Sequence, residues 1–250
     1  MAPQSLKGYL VIGKIKDGSV GTVWHAKNSS HKEFALKQIS LDAAGKPHKL
    51  KAFIKEATLT KKLKHPSIIR VYDYVDVEPQ PFFVMEYFDS ENLKHSMNQL
   101  PKRVHKHEFE ILMAIASALR YVHAQGIIHK DIKPENVLVN AASEVRLIDF
   151  SLATTKWDRL LQFGRKVEGT PLYMAPEQIQ GKRCGPQTDM YSFGVLMYEL
   201  LAKRPLFNAE SQQKLLLKHI KEKPQPLGTH KQTVDPALNM FVMKLLEKNP

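Results

Sequence analysis

Apolar and polar residues alternate over residues 9–15, 20–27 and 32–39, and Asp17-Gly18 and Asn28-Ser29-Ser30 separate the three runs. Period-two alternation bounded by turn residues marks half-buried strands, so this stretch predicts a three-strand meander. Between 47 and 64 the alternation stops, and Leu50, Phe53, Ile54, Ala57 and Leu63 fall at largely helical spacing, which predicts one helix within the sheet-rich half. Strand patterns resume at 68–77 and 82–87. Beyond about Asp89 the chain turns helical: Phe109, Leu112, Ile115, Leu119 and Val122 share one helical face, and Gly126 stands where a helix should end. Further helices are expected at 187–202, 209–222 and 236–247, with a small hairpin from 137–139 and 145–148. A small β-rich lobe therefore precedes a larger helical one.

Composition narrows the class. With 43% apolar and 25% charged residues in 250, the chain is globular and not disordered. Its 37 basic residues against 25 acidic leave a net charge of +12, but they are spread in short runs such as Lys61-Lys62-Leu63-Lys64 and Lys102-Arg103-Val104-His105-Lys106. Runs broken by apolar positions are solvated faces, so nucleic acid is not the expected partner. Cys184 is the sole cysteine, which excludes an internal disulfide and a cysteine-rich zinc site. No signal-peptide order occurs in the first residues and no apolar run reaches roughly eighteen residues, so the expectation is a cytoplasmic chain with no membrane segment of its own. A membrane anchor beyond residue 250 stays open, as does the oligomeric state.

The chemistry gathers in His129-Lys130-Asp131-Ile132-Lys133-Pro134-Glu135-Asn136, a polar cluster between apolar Ile127-Ile128 and Val137-Leu138-Val139. Apolar flanks fix such a loop, and Pro134 keeps Lys133 extended, so acid, cation and amide converge. Asp131 and Asn136, with Asp149 further on, supply what is needed to orient a hydroxyl and hold divalent metal through oxygen.

This loop resembles the catalytic loop of protein kinases, whose signature motifs serve phosphoryl transfer. The companion motifs follow in order: Phe34-Ala35-Leu36-Lys37, Glu56 in the next helix, Asp149-Phe150-Ser151 and Ala175-Pro176-Glu177. The resemblance covers about Tyr9 to Pro250 and is to the eukaryotic-type serine/threonine members. Gln178-Ile179 and Asp189-Met190-Tyr191-Ser192-Phe193-Gly194 look closest to bacterial ones. It implies an α+β bilobal fold: an N-lobe of about 9–86 with one main helix, a hinge of about 86–89 and a mostly helical C-lobe of about 90–250.

The resemblance also implies roles. Asp131 orients the acceptor hydroxyl, Lys133 neutralises the transferring phosphoryl group, and Asn136 and Asp149 hold magnesium, or manganese, beside ATP. Lys37 binds the α- and β-phosphates and Glu56 orients it. Gly18 and Gly21 lie over the phosphates, and Val23, Ala35 and Leu138 surround the adenine. Met85 forms its back wall, and the backbone of Glu86 and Phe88 its hydrogen-bonding edge. Thr170 supports the catalytic loop, His129 packs under Phe150, and Asp189 braces the loop backbone. The expected partner is a protein with a Ser or Thr acceptor. The alternative is a nucleotide-binding pseudokinase acting as an interaction module, which would have no use for a hydroxyl-orienting Asp131.

Departures from the family pattern carry their own expectations. Lys16 replaces the first of three loop glycines, and Thr60 sits at a usually apolar position. Lys130 replaces an arginine, losing the planar fork that grips a phosphorylated activation loop. Ser151 replaces a glycine, which narrows the backbone angles open to it and disfavours a flipped inactive arrangement. Arg165-Lys166-Val167-Glu168 offers no hydroxyl where the family is usually phosphorylated, so activity should not depend on phosphorylation there, with Thr154 or Thr155 as the other candidate sites. The remaining histidines, including His105 and His107, read as surface residues. The resemblance stops short of a final helix and of the arginine that pairs with Glu177. The expectation is either a fragment of a longer protein or a lobe without that brace, its Glu177 left to water or another partner.

Overall fold

The computed structural model describes residues 5–155, 158, 168–229 and 234–249. At Ser90 the chain divides into two compact units. In the first, strands β1 (Ser5–Leu6), β2 (Tyr9–Asp17), β3 (Gly21–Lys27) and β4 (Glu33–Ile39) lead into helices α1 (Leu41–Ala44) and α2 (Pro47–Lys62), then β5 (Val71–Val75) and β6 (Phe82–Glu86). The expected meander is the heart of a six-stranded antiparallel sheet in the order β1-β2-β3-β4-β6-β5.

Alternation puts both sheet faces to use. Trp24, Ala26, Phe34, Leu36, Phe82 and Val84 form one apolar cluster. The residues between them turn to the opposite face, where Ile39 and Phe83 pack with Phe53 and Ala57 of α2. The β2–β3 turn is closed by Gly18 N–H donating to Gly21 O at 2.8 Å, and by Thr22 Oγ1 donating to Asp17 at 2.9 Å. Gly21 has a steric reason to be glycine, because a Cβ there would lie 1.9 Å from the Gln38 carbonyl of β4.

The second unit opens with β7 (Glu91–Asn92), α3 (Leu93–Gln99), α4 (Pro101–Lys106) and α5 (Glu108–Ala124). The short β7, α3 and α4 carry too few residues for a periodic signal. After a single turn at Pro134–Asn136, β8 (Val137–Val139) and β9 (Val145–Leu147) make the expected hairpin, with β7 alongside β8. Helices α6 (Pro176–Ile179), α7 (Pro186–Ala202), α8 (Gln212–Lys221) and α9 (Pro236–Leu245) follow.

One expectation about α5 is corrected. Phe109 is 68% exposed, and the buried face runs through Ile111, Leu112, Ile115, Ala118, Leu119 and Val122. The inward stripe is centred on Ile111, Ala118 and Val122, and Phe109 at the helix start lies outside it. Helix α7 is buried on nearly all sides, from Tyr191 to Leu201, and so forms the axis of this unit. Asn92, Ser211 and Asp235 cap α3, α8 and α9 by accepting first-turn N–H groups, which satisfies donors the helices leave unpaired.

Candidate active site

In the sheet-rich unit, antiparallel register gathers the expected nucleotide-binding residues on one face. Val23 pairs with Lys37 and Ala35 with Met85, while Ala35 and Lys37 are two apart on β4. Val23 and Met85 remain half-buried. Lys37 Nζ donates to both oxygens of Glu56, at 2.6 and 2.8 Å, and lies 5.5 Å from the Phe83 ring centroid. Glu56 on α2 is only 6% exposed, and a carboxylate so far from water requires a cation. Glu86 is tied to Arg70, its N–H donating to Arg70 O at 2.9 Å and its carboxylate accepting Arg70 N–H at 3.1 Å. The Phe88 carbonyl accepts the Ser90 hydroxyl at 2.8 Å.

In the helical unit, Asp131 is the centre of a hydrogen-bond network. Lys133 Nζ donates to Asp131 Oδ2 at 2.6 Å and to Thr170 Oγ1 at 2.7 Å, and the Thr170 hydroxyl donates to Asp131 Oδ1 at 3.0 Å. Asn136 Nδ2 donates to both the carbonyl and the carboxylate of Asp131, each at 2.9 Å. With the nitrogen so committed, the amide oxygen of Asn136 is the atom left to meet a cation. The hairpin register brings Asp149 beside it, because Ile148 N–H donates to Asn136 O at 2.9 Å. Leu138, between buried Val137 and Val139, faces the other side of the hairpin and stays half-buried.

Two backbones at the site occupy the left-handed region, Lys130 at φ 69° and Asp149 at φ 65°. Such angles are costly for side-chain-bearing residues and persist only when neighbours over-determine them. For Lys130 the restraint is visible: its N–H donates to Asp189 Oδ1 at 2.7 Å, and that of His129 to Oδ2 at 2.9 Å. Asp189 is fully buried on α7 and also accepts from His123 Nε2 at 2.7 Å. His129 is fully buried, packs 4.6 Å from the Phe150 ring, donates from Nε2 to Ile148 O and accepts Asp131 N–H at Nδ1. Ser151 does not share the positive φ of Asp149, so serine sits there without strain, its N–H on Asp149 Oδ1 at 3.3 Å.

The segment carrying Thr170 is anchored to α7. Tyr173 OH donates to buried Glu199 at 2.6 Å, and Ser192 donates to Tyr173 O at 2.7 Å. Burial, with the Glu199 charge beside it, raises the Tyr173 phenol far above its ordinary range. Glu177 has a partner the sequence did not suggest: Thr188 donates to it at 2.6 Å.

Thr154 is 4% exposed and bridges to Ile128, which removes it as an accessible modification site in this conformation. Thr155 and Asp158 hold each other through side chain and backbone. Residues 165–167 lie outside the described residues. One histidine expectation fails: His219 is fully buried beside Tyr191, Phe207 and Lys248. Gln178 was also missed as a site residue, and no local pattern marks it.

Residues 9–250 match the protein kinase domain family. The chain belongs to it. The fold is accordingly the α+β fold of that family, in its eukaryotic-type serine/threonine branch. Similar curated proteins include a probable serine/threonine-protein kinase of Streptomyces coelicolor, 33% identical over 256 residues, covering 99% of this chain and 38% of that protein. The serine/threonine-protein kinase PknB of Mycolicibacterium smegmatis is 32% identical over 99% of this kinase domain and 41% of its own length. PknB of Mycobacterium tuberculosis is 32% identical over 88% and 36%. This kinase domain thus spans about two fifths of the relatives it matches. No helix among the described residues is long and apolar enough to cross a membrane.

Proposed function

We propose that this domain transfers the γ-phosphoryl group of ATP to serine or threonine hydroxyls of protein substrates. The observation that carries the reading is the Asp131–Lys133–Thr170–Asn136 network, which presents a carboxylate and an ammonium group within one hydrogen-bonded arrangement. Asp131 orients the incoming hydroxyl and takes up its proton, and Lys133 balances the charge that the phosphoryl oxygens carry. Lys37, oriented by Glu56, binds the α- and β-phosphates under the Gly18–Gly21 turn. Within the sheet-rich unit, Val23, Ala35 and Met85 give the adenine an apolar surround, with the backbone of Glu86 and Phe88 at its polar edge.

Divalent metal fits the donors present. The Asn136 amide oxygen and the Asp149 carboxylate are hard oxygen ligands, suited to magnesium and also to manganese. Among the described residues no cluster of His, Cys, Asp and Glu forms a cage that could hold a metal by itself. Held by Asn136 and Asp149, such an ion would supply positive charge to offset that of the phosphate oxygens.

The test incubates the chain with labelled ATP, magnesium and a generic basic protein, beside Asp131→Asn and Asp149→Asn. Label on serine and threonine that disappears in both variants is the expected result. Magnesium-dependent nucleotide binding without any transfer would replace this reading with that of a pseudokinase.

A further inference from the structure

Gln178, the first residue after Ala175-Pro176-Glu177, is 5% exposed on the short helix α6. Its amide nitrogen donates to Lys130 O at 3.0 Å and to Glu168 O at 2.6 Å. The two protons of one carboxamide are thus divided between the catalytic loop and the segment that ends in Thr170. Each carbonyl stands one or two residues from the network: Lys130 precedes Asp131, and Glu168-Gly169 leads into Thr170.

The neighbouring backbone is shaped around this side chain. Gly169 has φ 141°, a region that favours glycine, and a Cβ on it would fall 2.8 Å from Gln178 Nε2. Lys130 holds its left-handed backbone between two anchors, Asp189 on its N–H and Gln178 on its carbonyl.

The geometry points to Gln178 as a positioning residue for phosphoryl transfer: its carboxamide fixes the spacing between the catalytic loop and Thr170, and so the setting of Asp131 and Lys133. This rests on the kinase reading. Gln178 touches neither substrate nor reacting atoms, and it acts through Thr170. Misplacement of reacting groups by about an ångström can cost about a hundredfold in rate, so a clamp of this kind is felt in turnover more than in binding.

Gln178→Met keeps length and bulk and removes both donors, while Gln178→Glu sets an oxygen against two carbonyl oxygens. Gln178→Met should lower kcat about tenfold to a hundredfold with the KM for ATP little changed, and Gln178→Glu should lower it further. Because the effect runs through Thr170, adding Gln178→Met to Thr170→Ala should cost little beyond Thr170→Ala alone. Amide hydrogen exchange over 168–173 should quicken in Gln178→Met while 186–202 keeps its protection. Additive losses in the double variant, a kcat within about twofold of the parent, or unchanged exchange at 168–173 would each overturn the clamp. If the parent itself transfers nothing, the kinase reading fails, and the exchange measurement still decides whether Gln178 holds the segment.

Discussion

In the sheet-rich unit a half-buried cation is secured by a pair, Lys37 on β4 with buried Glu56 on α2. In the helical unit Asp131 is bonded to Lys133, Thr170 and Asn136 together, and the loop behind it hangs from Asp189. A pair joining a strand to a helix is intact only while those two elements keep their spacing. A network ties each group to several anchors at once, so that its members hold one another in place. The first suits a part of a catalyst that is to be switched, the second a part that is to be already in place.

Substitutions in the two units should therefore fail differently. The largest effect is expected from Asp131→Asn, which keeps the shape and removes the proton acceptor: kcat should fall by about 10²–10⁴ with ATP affinity retained. Lys37→Met should instead raise the KM for ATP and leave Glu56 a buried carboxylate without its cation, lowering stability as well. Steady-state kinetics with both variants separates the cases, and equal changes in KM would break the contrast. Next comes Asp189→Ala, which strips the acceptor from two backbone N–H groups and His123. A loss of about 3–5 kcal/mol is expected, read from urea unfolding, with kcat falling alongside.

A smaller effect belongs to His219, away from the reacting groups. Burial first, and then the Lys248 charge, push its pKa down from 6.5 to about 4. Its Nδ1 accepts from Tyr191 OH at 3.0 Å, and that oxygen accepts from Lys248 at 2.9 Å. Because the folded pKa is depressed, the unfolded chain takes up the proton first as pH falls. The stabilisation is whole above about pH 6.5 and drains away toward pH 4, on the order of 3 kcal/mol. The difference in urea midpoint between the parent and His219→Gln should shrink over that window, and a constant difference would count against it.

Much of the proposed site was legible because its residues come in short motifs whose order is specific. Asp131, Lys133 and Asn136 share one loop, and Lys37, Glu56 and Asp149 each follow from position in a pattern. What was illegible depends on contacts between distant residues. Gln178 has meaning only through Lys130 and Glu168, and Thr188 only through Glu177. Gly21 reads as a phosphate-loop glycine, yet the structure adds a demand that no spacing reveals, the approach of the Gln38 carbonyl. Phe109 misled because helical period fixes a stripe's slope and not where the stripe begins. Nothing along the chain tells buried His219 from exposed His105.

The smallest expected effect tests whether a departure from the family pattern matters. Thr60 stands one turn beyond Glu56, is 3% exposed, and donates its hydroxyl to the Glu56 carbonyl at 2.8 Å. That bond satisfies the buried hydroxyl without help from another element, so the polar group costs little where the family usually has an apolar side chain. Thr60→Val keeps the branched shape and removes donor and demand together, leaving the Glu56 carbonyl in its helix. Stability should change by less than about 1 kcal/mol and the KM for ATP should stay where it was. A rise in KM would mean that the hydroxyl holds α2 at the spacing the Lys37–Glu56 pair needs, and the sheet-rich unit would then have a second anchor of its own.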